Sequence, residues 1–320
     1  MSYYVSQQME MMSLRTMMRT LNTGFTGDAR FSYNDAFSRN IGWVTEPEQK
    51  KLRGKRVAIA GLGGVGGSHA VTLARLGIGA MNLADLDSFD VANFNRQAGA
   101  SMSTLGRQKS EVLANMVRDI NPEVDVRVYP EGVTPANIDA FLAGVDLYVD
   151  GLDFYAFSAR RLVFAECAKR QIPATTVAPL GMGAAMLNFV PGGMTFEEYF
   201  RWDDCSEEEM AVRFLVGLSP ALVQRTYLAD PNSVSFVERR NPSTGMACQI
   251  CAGIAATQAV KILLDRGPLI VAPRGMHFDA YRNKLVTTWR PFGNANPLQR
   301  LLIAIARPRL LRRGSSQEPA

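Results

Sequence analysis

A glycine-rich turn between a short apolar run and a helical pattern restricts the folds open to this chain. Residues 57–60 are apolar, and residues 61–67 contain five glycines, Gly61, Gly63, Gly64, Gly66 and Gly67. The pattern is typical of a buried parallel strand that leads through a tight loop into a helix whose N-terminus can bind a phosphate. Because glycine has no Cβ atom, the backbone can turn sharply here and approach a ligand closely. The motif predicts a nucleotide site, but it does not identify the reaction.

Strand and helix patterns alternate through the first two thirds of the chain. Besides the strand that starts at residue 56, the predicted strands are 80–84, 124–129, 147–149 and 174–177. The predicted helices are 46–52, 68–75, 109–120, 137–142 and 158–170. Such alternation predicts right-handed βαβ units. After residue 191 it gives way to a long apolar helix at 246–264 and to two short strands or an edge hairpin within 277–289. We therefore predict an α/β fold: a Rossmann-like, mostly parallel sheet flanked by helices, with a smaller C-terminal antiparallel portion.

The charge of the chain is unevenly distributed. Residues 280–320 contain eight Lys/Arg and one Asp/Glu, a net charge of +7 that leaves about −2 of the total +5 for the rest. A near-neutral body argues against a nucleic-acid-binding protein, whose body would carry a basic face. We divide the chain into an N-terminal arm (1–45), a main domain (46–290, with a nucleotide-binding core at about 56–190) and a basic tail (291–320).

Cysteine content and hydropathy bear on the location of the protein. Four cysteines in 320 residues do not suggest a disulfide framework, so a reducing cytoplasm is expected. No uninterrupted apolar run approaches about 18 residues, so no transmembrane helix is predicted. The first 20 residues are polar and Met-rich, and they lack the apolar core and cleavage site of a secretory signal.

A polar block after the second predicted strand separates two classes of nucleotide enzyme. The glycine loop alone favours a unit that binds NAD or FAD, and Asp85 could bind ribose hydroxyls in either class. Asn93, Arg96 and Gln97 follow soon after, and Lys109 opens the next helix. Hydride transfer needs no Arg and Lys here. A triphosphate needs both, because attack on the α-phosphate builds negative charge that cations and Mg²⁺ offset.

Together these motifs resemble the ThiF/MoeB/HesA family, prokaryotic relatives of ubiquitin-activating enzymes. The match covers residues 36–190 and extends into the helix at 248–264. In family order it comprises the glycine loop, Asp85-x-Asp87, Asn93-Phe-Asn-Arg-Gln97, Gly106-x-x-Lys109, Asn121-Pro122 and Gly151-Leu-Asp153. The resemblance implies an ATP-dependent adenylyltransferase that converts a carboxylate into an acyl-adenylate with release of pyrophosphate. It also implies Mg²⁺, a homodimer, and as substrate the C-terminus of a small ubiquitin-like sulfur carrier or a peptide.

The resemblance implies a role for each site residue. Asp85 would hold the ribose hydroxyls, and Arg96 and Lys109 would bind the triphosphate. Asp153 would hold Mg²⁺, with Asp150 as the second choice. The catalytic set is completed by Arg39, whose family counterpart reaches the phosphates across a dimer interface, although Asn40 replaces the family's Gln beside it. The nucleotide-binding set is Gly61, Gly63, Gly64, Gly66, Asp85, Asp87, Asn93 and Gln97.

The cysteines and histidines receive no catalytic role. Cys248 and Cys251 have the spacing of zinc ligands, but structural zinc needs four ligands and residues 191–200 contain no second pair, so we expect no zinc. Cys205 stands where some relatives carry a thioester-forming cysteine. Its acidic neighbours would raise its pKa and weaken it as a nucleophile. His69 and His277 are expected to be structural.

Two alternatives remain open at the level of the sequence. Residues 93–97, 121–122 and 133–137 are similar to the tRNA threonylcarbamoyladenosine dehydratase, for which tRNA would be the partner. An NAD(P)-binding oxidoreductase or a nucleotide-binding scaffold remains only if Arg96, Lys109 and Asp153 do not converge. The tail, apolar at 301–306 and followed by arginines, could contact an anionic membrane surface, dock on the body, contact RNA phosphate or remain solvated.

Overall fold

The computed structural model describes residues 30–230, 233–236, 238–239 and 241–311. These residues form two units, 30–36 and 37–311. The smaller unit contains helix α1 (Tyr33–Ala36), and the larger unit contains the elements given below. The predictions for residues 1–29 of the arm and for the end of the tail, including Arg312 and Arg313, lie outside the described residues.

An eight-stranded sheet forms the centre of the larger unit, in the order β3-β2-β1-β4-β5-β6-β7-β8. The strands are β1 (Arg56–Ala60), β2 (Ala80–Ala84), β3 (Asp125–Tyr129), β4 (Leu147–Asp150), β5 (Ala174–Leu180), β6 (Gly183–Phe189), β7 (Arg274–Asp279) and β8 (Lys284–Trp289). β1 to β5 run parallel, and β6, β7 and β8 are antiparallel to their neighbours. The predicted α/β fold, with a mostly parallel sheet and a C-terminal antiparallel portion, is confirmed.

The direction in which the chain crosses the sheet reverses at β1. From β1 the chain runs outward through β2 and β3, and it returns to β4 on the other side of β1. In open α/β sheets, ligands bind outside the carboxyl ends of the strands at such a point. The loops that follow β1 and β4 therefore define the expected place of a site.

Helices cover both faces of the sheet. They are α2 (Glu46–Arg53), α3 (Gly64–Leu76), α4 (Lys109–Ile120), α5 (Ile138–Phe141), α6 (Phe157–Lys169), α7 (Phe196–Phe200), α8 (Glu207–Leu218), α9 (Gly245–Leu264) and α10 (Pro297–Leu310). Side chains of a strand alternate between its faces. Val57 and Ile59 of β1 therefore join the core under α3, α4 and α9, whereas Ala58 and Ala60 join an aromatic core under α6, α7 and α8.

Helix α9 lies on one face of the sheet. It is long and apolar enough to cross a membrane, yet half of its most apolar stretch is buried inside the protein. Its buried residues include Cys251, Ala255 and Ala259, and the helix packs against α3 and β5. In this structure α9 is a core helix.

Strand β6 is the main element that the sequence did not predict. All seven of its residues are buried, so its sequence lacks the alternation of apolar and polar residues that marks a half-exposed strand. The preceding strand β5 also continues to Leu180, beyond its predicted end at residue 177, and Leu180 pairs with Gly183 across a tight turn. This hairpin begins the antiparallel portion before residue 191.

The described part of the basic tail packs on the body. The side chain of Gln299 donates to the carbonyl oxygen of Val216 in α8 at 2.7 Å, and Ile303 is buried. Arg307 forms a bidentate ion pair with Glu209 of α8, at 2.8 and 2.7 Å. Of the alternatives for the tail, docking on the body is the one that the structure shows for residues 297–310.

Candidate nucleotide-binding site

The loop after β1 turns directly against the loop after β4. Gly61 has φ +79°, and the N–H of Gly151 donates to the carbonyl oxygen of Ala60 at 2.9 Å. A Cβ atom on Gly61 would lie 2.3 Å from the carbonyl oxygen of Gly151, and one on Gly66 would lie 1.7 Å from the carbonyl oxygen of Gly61. Both distances are far below van der Waals contact. Gly61 and Gly66 are therefore needed to close the turn itself.

Gly63 and Gly64 face polar side chains instead. A Cβ atom on Gly63 would lie 3.5 Å from Nε2 of Gln97, and one on Gly64 would lie 3.5 Å from the side chain of Arg96. Helix α3 begins at Gly64. The first N–H groups of a helix have no partner within it, and they favour an anion such as phosphate. Arg96 and Gln97 thus lie beside a place where a phosphate can bind.

Asp85, at the end of β2, holds the glycine turn in position. Its Oδ2 accepts from the N–H of Leu62 at 2.5 Å, and its Oδ1 accepts from the N–H of Asp87 at 2.8 Å. Burial raises the pKa of Asp85, and the two backbone hydrogen bonds partly offset this effect. A carboxylate can accept about four hydrogen bonds. Asp85 therefore keeps acceptor capacity for the hydroxyls of a ribose.

Lys109 is fixed at the start of α4 by Asp87. Its Nζ lies 2.9 Å from Oδ2 of Asp87, and its N–H donates to the carbonyl oxygen of Asp87 at 2.9 Å. The side chain of Lys109 is 7% exposed, whereas that of Asp87 is 57% exposed. The predicted phosphate ligand is therefore a buried cation that a flanking carboxylate holds at the sheet edge.

The block that carries Arg96 contains predicted site residues, and one of them also shapes the local turn. Nη1 of Arg96 donates to two acceptors of its own turn, at 3.0 and 3.2 Å. Gln97 is buried, and its Oε1 has no hydrogen-bond partner within the described part of the chain. Oδ1 of Asn93 accepts from the N–H of Asp90 at 3.0 Å. The bond of Asn93 thus stabilises the 3₁₀ turn that precedes Arg96.

Asp150, the last residue of β4, and Asp153, in the loop that follows, have opposite environments. Asp150 is buried, and its Oδ2 accepts from Nε of Arg160 at 2.9 Å and from the hydroxyl of Thr176 at 2.9 Å. These bonds engage Asp150 inside the core, so its carboxylate is less accessible to a metal ion than one at the surface. Asp153 is exposed, and its Oδ1 accepts from the N–H of Tyr155 at 3.0 Å. Asp153 is therefore the carboxylate that this loop presents at the sheet edge.

The structure does not bring Arg39 to this edge. Arg39 is exposed in the 3₁₀ helix Ser38–Asn40. The side chain of its neighbour Asn40 donates to Gln49 at 3.1 Å and to the carbonyl oxygen of Leu76 at 3.3 Å. Leu76 ends α3, whereas the glycine turn lies at the beginning of that helix. Within one chain, Arg39 therefore lies near the end of α3 that is remote from the site.

The cysteines form no metal cluster in the described residues. No group of three or more His, Cys, Asp or Glu side chains there could hold a metal ion. Cys248 and Cys251 are buried on α9, and a Cβ atom on Gly64 would lie 2.9 Å from the Sγ of Cys248. Burial is the largest cause that raises the pKa of the Cys205 thiol, and its Arg neighbours oppose the shift while its acidic neighbours add to it.

Both histidines are buried. Neither ring nitrogen of His69 has a hydrogen-bond partner among the residues that the structure describes, and burial lowers the pKa of His69 to about 3. Nδ1 of His277 lies 2.7 Å from the hydroxyl of Ser219. Burial also lowers the pKa of His277. These surroundings suit packing better than proton transfer with a substrate.

The side chains at this edge suit a nucleoside triphosphate. Asp85 can accept from ribose hydroxyls, while Arg96, Lys109 and the N-terminus of α3 can bind phosphate oxygens. Mg²⁺ is usually held by one or two carboxylates together with substrate phosphates, so Asp153 alone is sufficient on the side of the protein. The donor set therefore fits both ATP and Mg²⁺.

Sequence reasoning missed one residue that belongs to this region, Arg160. It lies on the buried face of α6 together with Phe157 and Phe164. The available signal was the spacing, since Arg160 falls on the same helical face as the apolar residues. An arginine buried in this way requires a charged or hydrogen-bonding partner.

Comparison with known proteins agrees with the fold and the motifs. The tRNA threonylcarbamoyladenosine dehydratase of Escherichia coli (strain K12) is 37% identical over 126 residues, which cover 39% of this chain and 46% of that protein. This chain therefore spans about half the length of that relative. The sulfur carrier protein ThiS adenylyltransferase of Escherichia coli (strain K12) is 28% identical over 165 residues, which cover 52% of this chain and 65% of that protein.

Solved structures share the architecture. A crystal structure of E. coli MccB with ATP has a TM-score of 0.60 and 19% sequence identity to this chain, and the match covers 85% of this chain and 75% of the other. At this identity the likeness shows the fold alone. The ThiF family matches residues 37–301. With the sheet topology and the glycine turn on the same segment, this match establishes that the chain belongs to the ThiF family.

Proposed function

We propose that this protein is an ATP-dependent adenylyltransferase, which activates a carboxylate as an acyl-adenylate and releases pyrophosphate. One observation carries the proposal: groups suited to ribose, phosphate and Mg²⁺ surround a single glycine turn. Asp85 accepts a hydrogen bond from a backbone N–H of that turn. The side chain of Arg96 lies against Gly64, and the loop that leads to Asp153 contacts Gly61. Hydride transfer would need no cations here.

The proposed reaction is a displacement at the α-phosphorus of ATP. An oxygen of the substrate carboxylate forms a bond to the α-phosphorus. The bond from that phosphorus to the oxygen that bridges to the β-phosphate breaks, and pyrophosphate leaves with the electron pair. Arg96 and Lys109 offset the negative charge that grows on the phosphoryl oxygens. Mg²⁺ held by Asp153 and the phosphates would supply further neutralisation.

The substrate that we favour is the C-terminal carboxylate of a ubiquitin-like sulfur carrier or of a peptide. The identity to the ThiS adenylyltransferase supports the first. A tRNA substrate is the second candidate, because the chain is 37% identical over 126 residues to the tRNA threonylcarbamoyladenosine dehydratase. ATP consumption that depends on added tRNA would favour the second candidate.

A second copy of the chain would complete the site with Arg39. Asn40, next to Arg39, is bound to the end of α3 that is remote from the glycine turn. A helix of 13 residues is about 20 Å long. Arg39 would therefore reach the phosphates only from a partner subunit. We accordingly propose a homodimer, and a cytoplasmic location, where ATP and Mg²⁺ are present.

Exchange of labelled pyrophosphate into ATP tests the proposal. Purified protein is given Mg²⁺ and ATP together with a ubiquitin-like protein that ends in Gly-Gly, a peptide mixture, or tRNA. We expect exchange with one of these carboxylates and its loss in Asp153→Ala. The control Asp119→Ala, which changes an exposed carboxylate near the end of α4, should behave as the unchanged protein. Binding of Mg²⁺ and ATP without exchange for any carboxylate, or binding of NAD in place of ATP, would overturn the proposal.

A further inference from the structure

An arginine occupies the buried face of α6. The buried residues of this helix are Phe157, Arg160, Val163, Phe164 and Cys167. Only 2% of the Arg160 side chain is exposed. Burial of a guanidinium is costly unless the charge is paired and its N–H groups are hydrogen-bonded. The contacts of Arg160 explain how the core accommodates it.

The guanidinium donates four hydrogen bonds, one to the last residue of β4 and three to the loop that follows it. Nε donates to Oδ2 of Asp150 at 2.9 Å. Nη2 donates to the carbonyl oxygens of Leu152 and Asp153, at 2.8 and 2.9 Å, and Nη1 donates to that of Phe154 at 3.3 Å. Arg160 therefore holds three successive carbonyl groups in the segment that presents the Asp153 carboxylate.

The buried ion pair is itself held from two sides. Asp150 accepts from the hydroxyl of Thr176 in β5 at 2.9 Å and from the N–H of Leu152 at 3.2 Å. On the other side, the guanidinium carbon of Arg160 lies 4.6 Å from the ring centre of Phe214 in α8. The pair is thus anchored to the sheet and to a packed helix. The bonds from Arg160 therefore fix the position of the loop at residues 152–154.

We propose that Arg160 is a positioning residue, which holds the backbone of residues 152–154 so that the Asp153 carboxylate is directed toward Mg²⁺ and the phosphates. The choice of Mg²⁺ and ATP as ligands rests on the proposed adenylyltransferase function. The planar fork of arginine matches one carboxylate and three carbonyl oxygens at once, whereas lysine keeps the charge on a single nitrogen. Loss of a group that orients a metal ligand typically lowers metal affinity or activity about 10- to 100-fold.

The test compares Arg160→Lys with Arg161→Lys. The control residue is the next one in α6, and its ion pairs are with Glu197 and Asp203, at 2.6 and 3.1 Å. Three quantities are measured on the full chain, and the third is the affinity for ATP without Mg²⁺. The first is the hydrogen-exchange rate of the amides at residues 152–155 without ligand. The second is the Mg²⁺ concentration that half-saturates binding of ATP.

We expect Arg160→Lys to raise the exchange rate of these amides about 10-fold or more, because hydrogen bonds to a charged group are lost. The half-saturating Mg²⁺ concentration should rise about 10- to 100-fold, while the affinity for metal-free ATP changes less than about threefold. Arg161→Lys should leave all three quantities unchanged. Unchanged exchange and an unchanged Mg²⁺ requirement in folded Arg160→Lys would overturn the inference. Faster exchange with an unchanged Mg²⁺ requirement would overturn the link to Asp153.

Two further variants separate positioning from general stability. If Arg160→Lys does not fold, Thr176→Val can replace it, because it removes one hydrogen bond to Asp150. This variant should raise the exchange rate of residues 152–155 and the half-saturating Mg²⁺ concentration by smaller factors. If neither changes, the inference is overturned. Leu52→Ala, in the buried core at the end of α2, lowers the free energy of unfolding and should leave the Mg²⁺ requirement unchanged. If the unchanged protein binds no ATP with Mg²⁺, the proposed function fails, and hydrogen exchange alone decides whether Arg160 holds the loop.

Discussion

Replacement of Gly66 by alanine tests the reading of the glycine turn most sharply. The added Cβ atom would lie 1.7 Å from the carbonyl oxygen of Gly61. Normal contact needs a separation of about 3.4 Å or more, so the two backbone segments must move apart by more than 1 Å. No side chain can rotate away, because the atom in contact belongs to the backbone.

The expected cost exceeds that of ordinary overpacking, which is about 1–3 kcal/mol. We therefore expect Gly66→Ala to lower the free energy of unfolding by about 3 kcal/mol or more, measured by urea denaturation. Gly253→Ala is the matched control. Gly253 lies in the interior of α9, and a Cβ atom there would meet nothing within 4 Å. Alanine should stabilise that position by about 0.5–1 kcal/mol.

The Gly66 substitution should also weaken ATP binding, because separation of Gly61 from Gly66 displaces the start of α3. If Gly66→Ala unfolds at the same urea concentration as the unchanged protein, the close approach that defines the turn is wrong. If it is destabilised but binds ATP with unchanged affinity, the turn is structural and the nucleotide binds elsewhere.

Three more predictions address stability, docking and charge. Burial lowers the pKa of His69 to about 3 in the folded state, whereas the unfolded chain binds this proton below about pH 6.5. The free energy of unfolding of the unchanged protein should therefore fall by about 1.4 kcal/mol per pH unit below about pH 6.5. His69→Leu should lose less of its free energy of unfolding over this pH range, as measured by acid denaturation followed by circular dichroism. Glu209→Gln weakens the ion pairs of Glu209 with Arg307 and Arg213 and should lower the free energy of unfolding by about 1 kcal/mol or less, because the Arg307 side chain is half exposed. Proteolysis within residues 297–310 should be faster, and equal proteolysis rates would contradict the docking of α10. Lys109→Met should lower kcat/KM for ATP about 100-fold, whereas Lys169→Met, at an exposed position of α6, should not change it; equal losses would contradict a phosphate role for Lys109.

Much of the sheet was predictable because its signals are local. Helix α4 was predicted at 109–120 and spans Lys109–Ile120, since an amphipathic pattern ends there at Asn121-Pro122 and the residue before a proline disfavours helix. Strands β1 and β2 were placed by apolar runs that end in glycine or aspartate. Strand β6 was not predicted because its residues are buried on both faces. Its burial depends on neighbours that are distant in the sequence, so no local alternation of apolar and polar residues marks it.

The part of the site that lies at the carboxyl ends of the parallel strands was predictable from the sequence. The carboxyl ends of the parallel strands β1, β2 and β4 lie at one edge of the sheet, and Gly61, Asp85 and Asp153 follow them there. The burial of Asp150 could not be read from its own segment, because Arg160 and Thr176 reach it from α6 and β5. The position of Arg39 depends on contacts of Asn40 with α3, which no local pattern reveals.

The identity of the bond that breaks in ATP tests the central claim most directly. The protein is supplied with ATP, Mg²⁺ and a carboxylate that supports pyrophosphate exchange, and the phosphorus-containing products are identified by ³¹P NMR. Attack at the α-phosphorus predicts pyrophosphate together with an adenylate or AMP, and their loss in Asp153→Ala. Formation of ADP and inorganic phosphate would contradict the account, because the groups around the glycine turn would then direct attack to the γ-phosphorus.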